Sequence, residues 1–330
     1  MNKIKVNLKS FGIAVPEYVV HNGELSKLVD TTDEWINSRT GINERRISTT
    51  PNENTAGLCT KAFYEIQKKT GINPLDIDVI VVGTITPDSI APSAACTIQA
   101  NIGAKNAFAF DVNAACSGFI YALYVGESLL RTGRYKNALV FGADTLSKIM
   151  DWDDRATCVL FGDGAGGVLL TASEDEKESF YYTDIHSDGE LGKNLQVSHW
   201  PLRNPFVKEE EESECTHINM DGRLVFDFAS RKAPKSVQTV LEKSGIDISE
   251  IKYIIPHQAN YRIVEAIAKK LKVDISKFYM NIDKFGNTVA ASIPIALCEM
   301  HEKGLIEAGD KLIITGFGGG LTWGSTLIEI

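Results

Sequence analysis

Short apolar runs alternate with longer amphipathic stretches along the whole chain. The opening MNKIKVNLKSFG switches between polar and apolar positions with the period of a strand. Further on, EIQKKTGINPLDIDVIVVG (Glu65 to Gly83) reads as a helix end, a Gly-Ile turn, a polar step and a buried strand. The same order returns in VLEKSGIDISEIKYIIPH (Val240 to His257), where Gly71 aligns with Gly245, Ile72 with Ile246 and Ile80 with Ile254 without a gap. On this offset Gly83 stands where the second copy has His257.

A second pair of segments extends the repeat. FDVNAACSGFIYALYVGESLLRTG (Phe110 to Gly133) parallels NIDKFGNTVAASIPIALCEMHEKG (Asn281 to Gly304), and pairing the terminal glycines sets Cys116 opposite Asn287. Both are expected after a strand and just before a helix that ends at glycine. KNALVFGAD and DKLIITGFGGG form a third pair of buried strands ending in glycine. Strands alternating with helices in two related halves predict an α/β fold with mixed sheets covered by helices. The expected division is 1–172 for the half with the cysteine and 173–330 for the half with the histidine and asparagine. Chemistry in such sheets collects at strand ends.

The stretch from about Thr171 to Asn219 belongs to neither copy, and its KEEEESE run (Lys208 to Glu214) reads as a solvated loop. The net charge of −9 argues against nucleic acid as the main partner. No apolar run reaches the ~20 residues of a membrane span, and the N-terminus lacks the apolar core of a secretion signal. A cytoplasmic protein without membrane contact is expected. Cys59, Cys96, Cys116, Cys158, Cys215 and Cys298 form no C-x-x-C pair, so neither a metal site nor a disulfide framework is suggested.

Cys116 lies in NAACSGF between small residues. A helix N-terminus there would favour the thiolate, which attacks a thioester and takes its acyl group. His257 (IIPHQAN) and Asn287 (FGNTVAAS) follow or precede matched elements, and a neutral imidazole and a carboxamide offer two hydrogen-bond donors. Two donors can hold the enolate oxygen left when a malonyl thioester loses CO2. GFGGG (Gly316 to Gly320) lacks the Lys-Ser/Thr of a phosphate loop, so a backbone amide aimed at an oxyanion is its better use. FGDGAGG (Phe161 to Gly167) misses the dinucleotide spacing and reads as a tight turn between strands.

TTDEWINSRTGI, PSAACTIQ, FDVNAACSGF, DRATCVLFGDGAGG, PHQANYR, GNTVAASIP and GFGGGLTWGS cover nearly the whole chain. Together they resemble the β-ketoacyl-[acyl-carrier-protein] synthase III family of the thiolase superfamily. The resemblance implies a five-layered αβαβα fold built from two duplicated halves, and a homodimer. It implies a multifunctional acyltransferase of fatty acid biosynthesis that joins an acyl-CoA primer to malonyl-[acyl-carrier protein], releasing CO2 and CoA. Cys116 would be the nucleophile, His257 and Asn287 the decarboxylating pair, and the amides of Cys116 and Gly319 the oxyanion hole. CoA would contact Thr31, Trp35, Arg39, Arg155, Gly222 and Asn260. The carrier protein would meet Gln258, Ala259, Asn260, Tyr261, Arg262, Lys269 and Lys270. Ala91 and Phe317 would shape the acyl pocket. No resident cofactor or metal is implied; the CoA thioester is a substrate.

Two departures stand out. Acetyl-preferring relatives carry a bulky Phe, reaching the partner's acyl pocket, where this chain has Ala91, which predicts acceptance of branched or longer primers. Some relatives have a Lys where Asp227 stands, at the edge that grips phosphate or carrier. A synthase III-like acyltransferase or condensing enzyme of secondary metabolism with a branched or longer acyl donor is the alternative reading. A catalytically dead binding scaffold and a cysteine protease are the readings from other classes.

Overall fold

A computed structural model of the chain describes residues 4–199, 201–202, 204–207 and 215–330. The acidic run Lys208 to Glu214 lies outside the described residues, and nothing is described of the Cys215 side chain. The first half consists of β1 (Lys5–Ala14), α1 (Asp33–Thr40), α2 (Thr55–Thr70), β2 (Val79–Gly83), α3 (Ala94–Ile102), β3 (Phe108–Val112), α4 (Gly118–Arg131), β4 (Asn137–Asp144) and β5 (Gly164–Ser173). The second consists of β6 (Phe180–Ser187), β7 (Leu195–His199), β8 (Cys215–Met220), α5 (Gly222–Ser244), β9 (Ile251–Pro256), α6 (Tyr261–Leu271), α7 (Ser292–Glu302), β10 (Lys311–Gly318) and β11 (Thr322–Glu329).

The first sheet has five strands in the order β1-β5-β4-β2-β3. Its β1/β5 and β5/β4 pairs are antiparallel, while β4/β2 and β2/β3 are parallel. The second sheet has four, in the order β6-β11-β10-β9. Its β6/β11 and β11/β10 pairs are antiparallel and β10/β9 is parallel, so the two sheets share one plan. The counterpart of β3 survives as a single parallel bridge, Phe278 beside Ile254, with the Tyr279 amide donating to the Ile254 carbonyl at 3.0 Å.

The layers follow from which faces are apolar. β2 is buried from end to end and β4 from Ala138 to Asp144, as strands covered on both faces must be. α2 and α3 cover the outer face of the first sheet, and α5, backed by α6, that of the second. α4 and α7 lie between the sheets. This is the five-layered αβαβα arrangement. The repeat registers in the backbone as well. Gly71 and Gly245 end α2 and α5 at φ +70° and +71°, a left-handed conformation that glycine adopts without a Cβ clash.

Two sequence expectations need correction. Gly164 to Gly167 open β5 rather than forming a tight turn. Those glycines allow close packing: a Cβ on Gly166 would stand 2.8 Å from the Ile295 amide nitrogen of α7. Asn287 follows a one-turn helix, Ile282–Phe285, rather than a strand, because the fifth strand of this half is vestigial.

Candidate active site

A cavity of about 1320 Å³ opens between the halves, and Cys116, His257 and Asn287 all line it. Cys116 sits in a single 3-10 turn, Ala115–Ser117, between the end of β3 and the first residue of α4. The residue before it, Ala115, has φ +46°, and Gly286 before Asn287 has φ +64°. Both copies thus kink through the left-handed region one residue ahead of the functional side chain. For alanine that conformation costs roughly 1–2 kcal/mol, held in place by the surrounding packing. Part of that packing is Gly318, the last residue of β10, where a Cβ would stand 2.6 Å from the Cys116 nitrogen. The Thr322 hydroxyl, 3.0 Å from the Ala114 carbonyl, ties the same turn to the glycine loop.

The Cys116 thiol departs from the expectation of a resting thiolate. Burial, with the charge of Asp144 adding to it, pushes its pKa well above the ordinary value, and a backbone hydrogen bond offsets only part of this.

His257 caps the C-terminal end of β9, its amide donating to the Thr315 carbonyl at 2.7 Å. Its ring meets Phe317 edge-on with centroids 5.5 Å apart. Burial holds the imidazole down to about 3, so it is neutral near pH 7. Asn287 is pinned along its backbone: its amide donates to Leu160 at 2.8 Å, and its carbonyl accepts from Gly162 at 3.0 Å. Its Oδ1 accepts from the Val289 amide at 2.9 Å. The carboxamide NH2 has no hydrogen-bond partner among the described residues, which leaves it as a donor on a cavity-lining side chain.

Asp144, at the end of β4, holds the two copies together behind these groups. Its Oδ1 accepts from the Ile85 amide (2.9 Å), the Thr86 amide (3.2 Å) and the hydroxyls of Thr84 (3.0 Å) and Thr86 (2.7 Å). Its Oδ2 accepts from the Ala290 amide, three residues past Asn287, at 3.0 Å. Burial raises the carboxyl to about 6 despite these bonds. Asp144→Ala would orphan buried backbone donors on both sides, so chemical denaturation is expected to show a loss of about 3–5 kcal/mol. A loss below about 1 kcal/mol would contradict the bracing role.

The other expected site residues divide in two. Arg39, Gly222, Ala259, Asn260, Arg262, Phe317 and Gly319 line the same cavity. Thr31, Trp35, Ala91, Arg155, Gln258, Tyr261, Lys269 and Lys270 do not. Arg39 and Arg155 flank the Trp35 ring at 5.3 and 5.5 Å, and Arg155 also donates to the Asp30 carbonyl at 2.8 Å. The buried Thr31 hydroxyl has no partner among the described residues. Asn260 caps α6 through the Arg262 amide and donates to the Arg39 carbonyl at 3.2 Å. Tyr261, Arg262, Lys269 and Lys270 are exposed on α6, and Ala91 is exposed beside Ser89 and Ile90 of the cavity wall. Gln258 is buried, donating to the Pro256 and Tyr279 carbonyls and accepting from the Asn281 amide, so it braces the His257 turn.

Sequence reasoning missed the apolar wall. Leu146, Ile149, Phe161, Leu195, Val197 and Ile218 pack around Cys116. Three of them come from the β7/β8 hairpin, inside the segment assigned to neither copy. The period-two alternation of LQVSH and HINM was the available signal. Among the described residues no cluster of acidic, histidine or cysteine side chains could hold a metal, and no helix is long and apolar enough to cross a membrane.

Comparison with known proteins gives one answer along the whole length. A model of 3-oxoacyl-[acyl-carrier-protein] synthase III matches residues 110–189, and a model of the C-terminal part of the same family matches 241–330. The β-ketoacyl-[acyl-carrier-protein] synthase III of Clostridium kluyveri is 50% identical over 326 residues, 99% of each chain. That of Streptococcus mutans is 50% identical over 318 residues, 96% of each. The crystal structure of the Aquifex aeolicus 3-oxoacyl-[acyl-carrier-protein] synthase III superimposes with a TM-score of 0.91 at 42% identity, covering 98% of this chain and 100% of that one. With this agreement in sequence and fold, the chain belongs to the 3-oxoacyl-[acyl-carrier-protein] synthase III family.

Proposed function

We propose that this chain starts fatty acid synthesis by joining an acyl-CoA primer to malonyl-[acyl-carrier protein]. The observation that carries the proposal is a thiol, a neutral imidazole and a carboxamide donor lining one cavity. In the first step Cys116 sulfur bonds to the acyl carbonyl carbon and the bond to the CoA sulfur breaks. The thiol proton leaves with CoA. The amides of Cys116 and Gly319 are the proposed donors to the tetrahedral oxyanion. In the second step the malonyl carboxylate leaves as CO2 and its bonding electrons pass to the thioester, whose oxygen His257 and Asn287 hold. The resulting carbanion attacks the acyl carbon, and the sulfur of Cys116 departs as a thiolate that takes a proton from solvent as the 3-oxoacyl product forms. This chemistry uses the CoA thioester as substrate and calls on no resident cofactor.

The same reading assigns the approach. The CoA nucleotide lies over Trp35, with Arg155 moving off the ring to admit the base, and Thr31, Arg39, Gly222 and Asn260 along the arm. An acidic carrier docks on Ala259, Tyr261, Arg262, Lys269 and Lys270, which surround the cavity entrance and the adjoining face of α6. Asp227 removes a positive charge from one edge of that surface. Residues 1–172 supply the nucleophile and 173–330 the decarboxylating pair. Two chains pair through β3, the outermost strand of the first sheet, whose partly exposed Phe108 and Phe110 stack on one face. Ala91 then reaches the partner's acyl pocket. The free thiols of the described cysteines suit the reducing cytoplasm.

The test is turnover with malonyl-carrier protein and acetyl-, isobutyryl- or octanoyl-CoA, followed as 3-oxoacyl product. A small side chain at Ala91 and an apolar wall predict that isobutyryl-CoA is used at least as well as acetyl-CoA. Strong preference for acetyl contradicts the pocket assignment, and no product from any primer contradicts the function.

A further inference from the structure

One hydroxyl behind His257 has no part in the chemistry above. Ser292, the first residue of α7, is buried with its Oγ 2.7 Å from His257 Nδ1 and 3.0 Å from the Val289 carbonyl oxygen. A serine hydroxyl has one proton to donate, and here two acceptors stand within reach. The carbonyl can only accept. The ring nitrogen accepts or donates according to the tautomer.

The choice decides what His257 can do. If Ser292 donates to Val289, Nδ1 must carry the proton of the neutral ring, and Nε2 turns a lone pair to the cavity. If Ser292 donates to Nδ1, Nε2 carries the proton and donates. Asn287 shows which state suits a thioester oxygen. Its Oδ1 is engaged by the Val289 amide, so its NH2 is the group available to an incoming oxygen. Beside that NH2, an Nε2 lone pair would repel the oxygen and an Nε2–H would hold it. No other described hydrogen-bond partner stands at Nδ1 to make the selection.

We propose that Ser292 is the positioning residue that makes His257 a donor: during condensation its hydroxyl donates to Nδ1 rather than to the Val289 carbonyl, fixing the tautomer whose Nε2–H points into the cavity beside the Asn287 amide. This rests on the proposed function, since it is the condensing step that calls on His257 and Asn287 as paired donors to one oxygen. Ser292 touches no substrate and acts through the ring.

The test separates the two steps in wild type, Ser292→Ala and Ser292→Thr. Each protein is loaded with acyl-CoA and weighed as acyl-enzyme. Labelled CO2 is then followed after malonyl-carrier protein is added. Ser292→Ala is expected to load within about threefold of wild type but to release CO2 at least roughly tenfold more slowly, short of the ~10²–10³ for deleting a donor outright. Ser292→Thr keeps the hydroxyl and should recover most of the rate. Labelled-nitrogen NMR of the histidine ring gives a readout that looser packing would not mimic: Nε2 protonated in wild type and Ser292→Thr, and protonation displaced toward Nδ1 in Ser292→Ala. Unchanged CO2 release, or equal loss of both steps with an unchanged ring spectrum, would overturn the inference. A wild-type enzyme that neither loads nor releases CO2 would instead remove the function on which it rests.

Discussion

Cys116→Ala is expected to carry no acyl group after incubation with acyl-CoA and to lose turnover by at least about 10⁴-fold, to the background of uncatalysed transfer. The argument does not rest on a lone cysteine. The thiol is presented by a left-handed kink at Ala115, braced from behind by a glycine whose Cβ would collide with the Cys116 backbone. No other described cysteine lines the cavity. Cys59 and Cys298 are buried elsewhere, and burial raises the pKa of both. Alanine in place of Cys116 removes the one cysteine thiol among the described residues that line the cavity, with little change in packing, so the loss should come with a nearly unchanged melting temperature. Residual loading of the variant at a wild-type level would assign the nucleophile elsewhere.

His257→Ala and Asn287→Ala are expected to divide the reaction. Each should still form acyl-enzyme, while CO2 release and product formation fall by about 10²–10³, the cost of removing one donor from a developing oxyanion. The physical reason is where charge appears. Decarboxylation sends an electron pair to the malonyl thioester oxygen, and a neutral ring and a carboxamide stabilise it by donating hydrogen bonds. Burial is what keeps the ring neutral, since its pKa lies at about 3. Asn287→Asp is the sharper variant. It keeps the shape, and the Val289 amide can still be satisfied, but it brings a negative charge toward a negative oxygen. It should therefore condense no faster than Asn287→Ala. Equal loss of loading and condensation in the alanine variants would contradict the division of roles.

Much of this was legible in the chain because duplication repeats constraints. Glycines at 71 and 245 recur where each half must end a helix with positive φ, and the glycines at 133 and 304 set the pairing that places Cys116 opposite Asn287. The sheets confirm that register strand by strand, except where the second half has lost its fifth strand to a single bridge at Phe278. What stayed hidden depends on three-dimensional burial. Nothing local in KNALVFGAD marks Asp144 as a carboxylate accepting bonds from both halves, because its partners come from residues 84–86 and 290. Ser292 looks like one more small residue in GNTVAAS until the fold sets it behind the imidazole. Nothing local in PHQANYR shows that Gln258 turns inward to satisfy three backbone groups, two of them from residues 279 and 281.

Peptide mapping of the wild-type enzyme, quenched first after acyl-CoA and again after malonyl-carrier protein, bears most directly on whether one cavity both loads and condenses. The expected result is a single acyl group on the peptide containing Cys116, which disappears on the second addition in step with CO2 release. An acyl group on another cysteine, or one on Cys116 that persists while CO2 is released, would contradict the account.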